Sequence, residues 1–377
     1  LAGIYIHIPF CKHKCHYCNF FSLASTKYRN AFLDALLKEI SLERYYLGSS
    51  QVDTVYFGGG TPSLLGASGI QKIFDTLVKN FSLSSRSEIT LEANPDDLNR
   101  ASLIDFHSIG INRLSIGIQS FFEEDLRALD RIHNASATKQ SILDAKIAGF
   151  QNLCIDLIYG IPGLTLSRWD HNLEIAFSLE IPHISAYSLT VEANTALYQL
   201  ILRKKINPPD EESSIDQFRL LMQKMKAHDY IHYEISNFCR DGFYSKHNSN
   251  YWKGVPYLGL GPSAHSFNGI SRKWNISNLT NYIQNIQSGI SVSEEETLTT
   301  SQRFNEYIMT SLRTVWGCSS KKIIDDFGFT IYDSFRKAAS LKTDQDLLKE
   351  VDGTYLLTEK GKLFADGIAS DLFIIES

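Results

Sequence analysis

Along the first two hundred residues, apolar and polar positions alternate between two rhythms. Runs of period two predict strands at GIYIHI (3–8), DTVYFG (53–58), EITLEA (88–93), NRLSIGI (112–118), NLCIDLIYG (152–160) and HISAYSLT (183–190). Helical spacing falls between them, near residues 28–47, 67–80, 97–109, 123–149 and 167–179. Gly48, Gly110 and Gly149 stand where three of these helices should stop. Strand–helix alternation without hairpin signals predicts a parallel sheet with right-handed crossovers. Six such units predict an α/β fold built as a partial or full barrel, with a doubly wound open sheet as the other solution.

Alternation inside the strands carries a second message, because successive side chains point to opposite faces. Ile4, Ile6 and Ile8 share one face, and Tyr5 and His7 the other. Ile89, Leu91 and Ala93 oppose Thr90, Glu92 and Asn94; Leu114, Ile116 and Ile118 oppose Ser115, Gly117 and Gln119. Leu153, Ile155 and Leu157 oppose Cys154 and Asp156. The outer face of a barrel strand is apolar because helices pack there, whereas a filled barrel core would carry Val, Ile and Leu inward as well. The polar set therefore predicts an inner cavity open at the strands' C-terminal ends, where α/β ligand sites lie. The plainer alternative is a scatter of hydrogen-bonded polar core residues.

After residue 200 the rhythm changes. INPPDEESS (206–214) is a turn-rich break before a helix at about 213–228, followed by HYEISNFC (232–239), KHNSNYW (246–252) and the glycine-rich VPYLGLGPSAHS (255–266). From about residue 300 the pattern is helical and ends in a short β-like GTYLLT (353–358), which predicts a winged-helix-like module. The expected division is residues 1–200 for the barrel, 201–295 for an α+β extension and 296–377 for the C-terminal helical domain.

Composition narrows the function classes. The 377 residues carry 37 basic and 42 acidic side chains, a net charge of −5, which does not favour nucleic acid as a partner. The C-terminal module has no basic stripe and is expected to be structural or protein-contacting. No apolar run has the length of a membrane span, and LAGIYIHIPFC is not a signal peptide. Six cysteines do not make a disulfide scaffold. Cys154, Cys239 and Cys318 are scattered, while Cys11, Cys15 and Cys18 fall within eight residues. That pattern fits a cytoplasmic protein with one thiolate site.

The C-x3-C-x2-C spacing places three thiols on one loop after the first strand. Three thiolates can hold three irons of a [4Fe–4S] cube and leave the fourth open to a small chelating ligand, such as the amine and carboxylate of S-adenosylmethionine. The rival is zinc, with His13 or His16 as fourth ligand.

YIHIPFC-x3-C-x-Y-C resembles the signature of the radical S-adenosylmethionine family. The resemblance continues through FGGGTPS (57–63), LEANPDD (91–97), RLSIGIQSF (113–121), DRIH (130–133), IDLIYGIPG (155–163), SAYSLTVE (185–192), HYEISNFC, HNSNYW and GLGPSAHSF. This is the branch that contains oxygen-independent coproporphyrinogen III dehydrogenase and a haem chaperone. The resemblance implies a partial (β/α)6 radical S-adenosylmethionine barrel with Cys11, Cys15 and Cys18 holding the cluster. It implies that Gly59, Gly60 and Thr61 hold the cofactor's amino group and that Glu92, Gln119 and Asp156 contact its ribose and methionine groups. It further implies that Arg131 pairs with its carboxylate and that Tyr5 and Tyr17 contact the cluster region. Phe20 stands where the dehydrogenase carries a fourth cysteine, and only ten residues precede Cys11, where the dehydrogenase has a longer segment. Both departures point to the haem chaperone, which binds haem and passes it to acceptor proteins, membrane haemoproteins among them. The alternative is the dehydrogenase, which decarboxylates coproporphyrinogen III. In HNSNYW, His247 can be an axial haem ligand, with Tyr251 and Trp252 stacking on the macrocycle. His232, His265 and Cys239 are the alternatives.

Overall fold

The computed structural model describes residues 1–375. Six parallel strands pair in chain order: β1 (Ala2–Ile8), β2 (Val52–Gly59), β3 (Leu83–Ala93), β4 (Arg113–Gln119), β5 (Asn152–Tyr159) and β6 (His183–Ser188). They are linked by α1 (Arg29–Leu42), α2 (Gly66–Asn80), α3 (Arg100–Ile109), α4 (Glu123–Ala128), α5 (Ala135–Ile147) and α6 (Leu166–Ser178). The one long helix expected over 123–149 is therefore two. Asn134 starts the second by accepting from the Ala137 N–H at 2.8 Å, and Asp130 in the break takes a left-handed φ of 57°. Gly110 ends α3 at φ 106°, as its position in the sequence suggested.

Beyond β6 come α7 (Ala196–Leu202), α8 (Glu211–Ala227), β7 (Ile231–Glu234), β8 (Asn237–Cys239) and α9 (Lys246–Trp252). They are followed by β9 (Tyr257–Leu260), β10 (His265–Phe267), β11 (Ser271–Asn275), α10 (Leu279–Ser288) and β12 (Ser293–Thr297). β9 adds parallel to β1, and β8 adds antiparallel to β6, so the six-stranded array stays open between β1 and β6. Glu39 of α1 bolts the added strands to the array. Its carboxylate accepts from Gly261 N–H (2.7 Å), Asn275 Nδ2 (2.6 Å) and Tyr282 Oη (2.7 Å).

The chain ends in α11 (Thr300–Leu312), β13 (Cys318–Ser319), α12 (Ser320–Phe327), α13 (Phe329–Asp344), β14 (Leu348–Val351), β15 (Thr354–Leu357) and α14 (Ala365–Asp371). The three strands form a separate antiparallel sheet, in the element order of a winged helix. β13 is too short to leave a pattern in the sequence. The buried apolar side chains form two clusters, one drawn from Ala2 to Val292 and one from Phe304 to Leu372. Among the described residues no helix is long and apolar enough to cross a membrane.

The apolar and polar faces of the strands separate along the array as their alternation predicts. Ile4, Ile6, Ile8, Leu91, Leu114, Ile116, Leu153, Ile155 and Leu157 are buried in the first apolar cluster. The opposite face divides into two storeys. Near the strands' N-terminal ends, Thr54, Thr90, Arg113, Cys154 and His183 are fully buried under α9 and the β7–β8 hairpin. Towards the C-terminal ends, Tyr5, Glu92, Asn94 and Asp156 are only half-buried.

Candidate cluster and cofactor site

The loop that follows β1 is held open by its neighbours rather than by itself. Cys11 N–H donates to Leu23 O (3.0 Å), and Leu23 N–H to Pro9 O (2.8 Å). From the β2 side, Gly60 N–H donates to Ile8 O (2.8 Å) and Thr61 N–H to Phe10 O (2.7 Å). On this frame Cys11, Cys15 and Cys18 sit half-buried as free thiols. Thr61 Oγ1 donates to Cys11 Sγ (3.6 Å), and Asn94 Nδ2 donates to Thr61 Oγ1 (3.2 Å). Arg131 reaches the same loop: one nitrogen donates to Cys15 Sγ (3.4 Å), the other to Asn94 Oδ1 (2.6 Å) and Gly117 O (2.7 Å). Burial pushes the Cys11 and Cys18 thiols up, and the charge of the neighbouring sulfurs pushes them further. Such a trio gains from a cationic centre that neutralises the thiolates.

Both candidate fourth ligands of the zinc alternative are tied to Asp130 through Nε2, which leaves Nδ1 for a metal. His13 Nε2 and His16 Nε2 both face Asp130 Oδ2, at 2.6 and 3.0 Å. Among the described residues no three His, Cys, Asp or Glu side chains converge to hold a single ion. Asp130 is a site residue that the sequence reading missed. It stands next to Arg131 in DRIH; Asp130 holds His13 and His16 of the thiol loop, and Arg131 donates to Cys15. A charged pair inside an apparent helix was the available signal.

The half-open storey gathers the remaining expected residues. Tyr56 Oη donates to Glu92 Oε1 (2.7 Å) and Gly59 N–H to Glu92 Oε2 (3.1 Å). Burial raises the Glu92 carboxyl to about 7, and the charge of Asp156 adds to the rise. Burial likewise lifts Asp156 to about 6, against the opposing pull of Arg113. Gln119 leaves the strand at φ 65°, and its Nε2 lies 2.9 Å from where a Cβ on Gly117 would stand, with Arg131 and Asn94 at 3.6 Å from the same point. Tyr17 is placed among Arg131, Cys15, Cys18 and Asp156, with its phenol pushed up by burial. Tyr5 donates to or accepts from His7 Nδ1 at 3.2 Å.

The glycines are also demanded by the chain's own packing. A Cβ on Gly58 would strike Tyr5 and Tyr56 at 2.9 Å, one on Gly59 the His7 ring at 2.8 Å, and one on Gly60 the Phe10 carbonyl at 2.6 Å. FGGGTP is glycine-rich because the chain's own side chains and thiol loop press against it.

His247 lies in the sealed storey, away from this opening. It is buried, with Nδ1 2.8 Å from Thr54 Oγ1, Nε2 2.8 Å from Tyr251 Oη, and the ring stacked on Tyr56 at 5.0 Å. Its backbone N–H donates to Glu88 Oε1 (3.1 Å). HNSNYW is therefore the helix α9, capped by Ser245, and an imidazole held in this way has no free nitrogen for iron. His232 is also spent, with Nε2 on Ile235 O (3.0 Å) and Nδ1 on Lys362 Nζ (3.0 Å), and Cys239 is fully buried.

A parallel βα array with three thiols on the loop after its first strand defines a radical S-adenosylmethionine protein. The Radical SAM superfamily profile matches residues 5–176. Beyond that region, similarity to one kind of relative runs the length of the chain. The Heme chaperone HemW of Bacillus subtilis is 34% identical over 98% of both chains, and that of Escherichia coli 31% identical over 99% of this chain and 98% of its own. The chain belongs to the HemW family of radical S-adenosylmethionine proteins. Its fold matches that of the coproporphyrinogen III oxidase HemN of Escherichia coli, described as a radical SAM enzyme, with a TM-score of 0.85 over 99% of this chain and 90% of that one at 22% identity.

Proposed function

We propose that this protein is a haem chaperone: it carries a [4Fe–4S] cluster on Cys11, Cys15 and Cys18, binds S-adenosylmethionine beside it, and passes haem to acceptor proteins. The observation that carries the haem role is the end-to-end likeness to proteins named as haem chaperones. The residues of the half-open storey fit the cofactor. Arg131 Nε is buried without an acceptor and suits a carboxylate. Glu92 and Asp156 present two carboxyl groups to a cation and to ribose hydroxyls. The N–H groups of Gly59, Gly60 and Thr61 are spent on Glu92, Ile8 and Phe10, so an amino group there meets carbonyl oxygens. When bound, the cluster supplies one-electron reduction of the sulfonium. The protein's own part is to hold that sulfonium beside the half-buried carboxylates and to keep Arg131 against both the cofactor and Cys15.

The test is an anaerobic incubation with reductant, S-adenosylmethionine and coproporphyrinogen III, read by porphyrin chromatography beside a haem titration. The expected result is one-to-one haem binding and no protoporphyrinogen. Appearance of protoporphyrinogen would replace the chaperone by the dehydrogenase.

The raised carboxyls give a pH prediction. Their folded values lie above the usual range, so the empty fold holds protons that the unfolded chain has released, and its stability falls as pH rises through about 5 to 7. A cationic ligand needs both groups ionised. Affinity for S-adenosylmethionine should rise about tenfold between pH 5.5 and 7.5 by calorimetry. S-adenosylhomocysteine, which lacks the sulfonium charge, should show a shallower rise. Equal slopes for the two ligands would remove Glu92 and Asp156 from the sulfonium.

A further inference from the structure

A cleft of about 880 Å³ lies between the β1–β9–β10 flank of the array and helices α11 and α12 of the C-terminal module. Small-molecule sites span about 300–1,000 Å³. Asn19, Phe20 and Phe21, which directly follow Cys18, form the wall nearest the thiol loop. Phe20 is 69% exposed there. Trp252, Tyr257, Phe267 and Phe327 add ring surface.

The lining has a charge of its own. Lys253, Arg272, Arg303 and Lys322 face two carboxylates, Glu306 and Asp326, in a chain that is acidic overall. Arg272 is bound to Glu306 and Lys322 to Asp326, both at 2.5 Å. Lys253 rests on the Trp316 ring at 4.0 Å, and neither it nor Arg303 has a carboxylate partner among the described residues. Two cationic charges are thus left over. Two donors on the walls, Arg303 Nε and Trp252 Nε1, also lack an acceptor. The cleft has two imidazoles. His7 has both nitrogens engaged, on Phe21 O (2.8 Å) and Tyr5 Oη (3.2 Å). His265 on β10 is exposed and makes no side-chain hydrogen bond among the described residues. Partial burial of the ring and the charge of Arg272 lower its pKa, which favours the neutral form that an iron ligand needs.

The geometry points to this cleft as the tetrapyrrole site, with the flat macrocycle among the rings, its two propionates on Lys253 and Arg303, and His265 reaching the iron. The assignment rests on the haem reading above and adds where the haem sits: beside the loop that carries the cluster, not at HNSNYW.

The test is titration of the full-length protein with hemin, followed by its Soret band, with iron-free protoporphyrin IX as a second ligand and circular dichroism melts as a folding check. Arg303→Glu should weaken hemin binding about ten- to hundredfold, whereas Arg303→Lys should keep most of the affinity because the charge remains. His265→Ala should shift the Soret band, and added imidazole should restore it. Protoporphyrin IX should respond to Arg303→Glu but not to His265→Ala. If Arg303→Glu and His265→Ala both leave affinity and spectrum unchanged while the parent protein binds hemin, the cleft is not the site and the haem function stands. If the parent protein binds no hemin, both the cleft and the haem function fall.

Discussion

Replacing any one of Cys11, Cys15 or Cys18 by alanine is expected to abolish iron and sulfide retention after anaerobic reconstitution, leaving a colourless but folded protein. The effect should be all or none, because in the proposed site each thiolate would hold one iron and two thiolates would not retain the cluster. The fold should survive because the three side chains are half-buried on a loop and belong to neither apolar cluster. The backbone of that loop is fixed from outside, by Leu23, Gly60 and Thr61, through bonds that use no sulfur. Far-ultraviolet circular dichroism should therefore overlay the parent spectrum while the visible absorption disappears. A single-cysteine variant that keeps its full iron would remove that cysteine from the site. Stoichiometric zinc in the parent protein after iron reconstitution would favour the zinc reading, with Nδ1 of His13 or His16 as the fourth donor.

His247→Ala should act in the opposite sense, with a large loss of stability and no change in haem spectrum. The ring fills the sealed storey, stacks on Tyr56 and joins Thr54 to Tyr251. Truncation leaves a cavity and two unpaired hydroxyls, for which about 3–5 kcal/mol is the expected cost in denaturant unfolding. The pH dependence should change as well. Burial, and then the charge of Arg113, lowers the ring to about 3. The unfolded chain takes up a proton below pH 6.5 that the folded chain refuses, so this residue makes the fold less stable as pH falls from 6.5 towards 3. His247→Ala should flatten that part of the acid slope. A shifted Soret band at unchanged stability would instead return His247 to the iron.

The same residues show how far the sequence could be read. Period-two alternation placed Glu92, Gln119 and Asp156 on one face of the array, and the structure gathers Glu92 and Asp156 within electrostatic reach of each other. Alternation is a local rule, and a strand obeys it wherever it pairs. The helix expected over 123–149 failed because Asp130 and Asn134 break it for a reason outside the helix: Asp130 is drawn to His13 and His16 from a loop more than a hundred residues earlier. The glycine run was read through the resemblance as a cradle for the cofactor's amino group, and not as a point of close packing within the chain. The rings of Tyr5 and His7 come from β1, which meets β2 only in three dimensions, and that of Tyr56 from β2 itself. HNSNYW misled most. Its histidine and aromatics suggested a ligand with stacking rings, yet α9 turns His247 inward, onto Thr54 from β2.

By itself, then, the order of residues determined the six βα units, the polar face and the trio of thiols on one loop, because periodicity and spacing act between near neighbours. Which polar groups are sealed in and which face the opening was decided by tertiary packing. α9 and the β7–β8 hairpin close one end of the array, and that closure leaves His247 without a free nitrogen and His265 with one. Burial of an imidazole depends on what packs over it, and the covering elements are set by contacts between segments far apart in the chain.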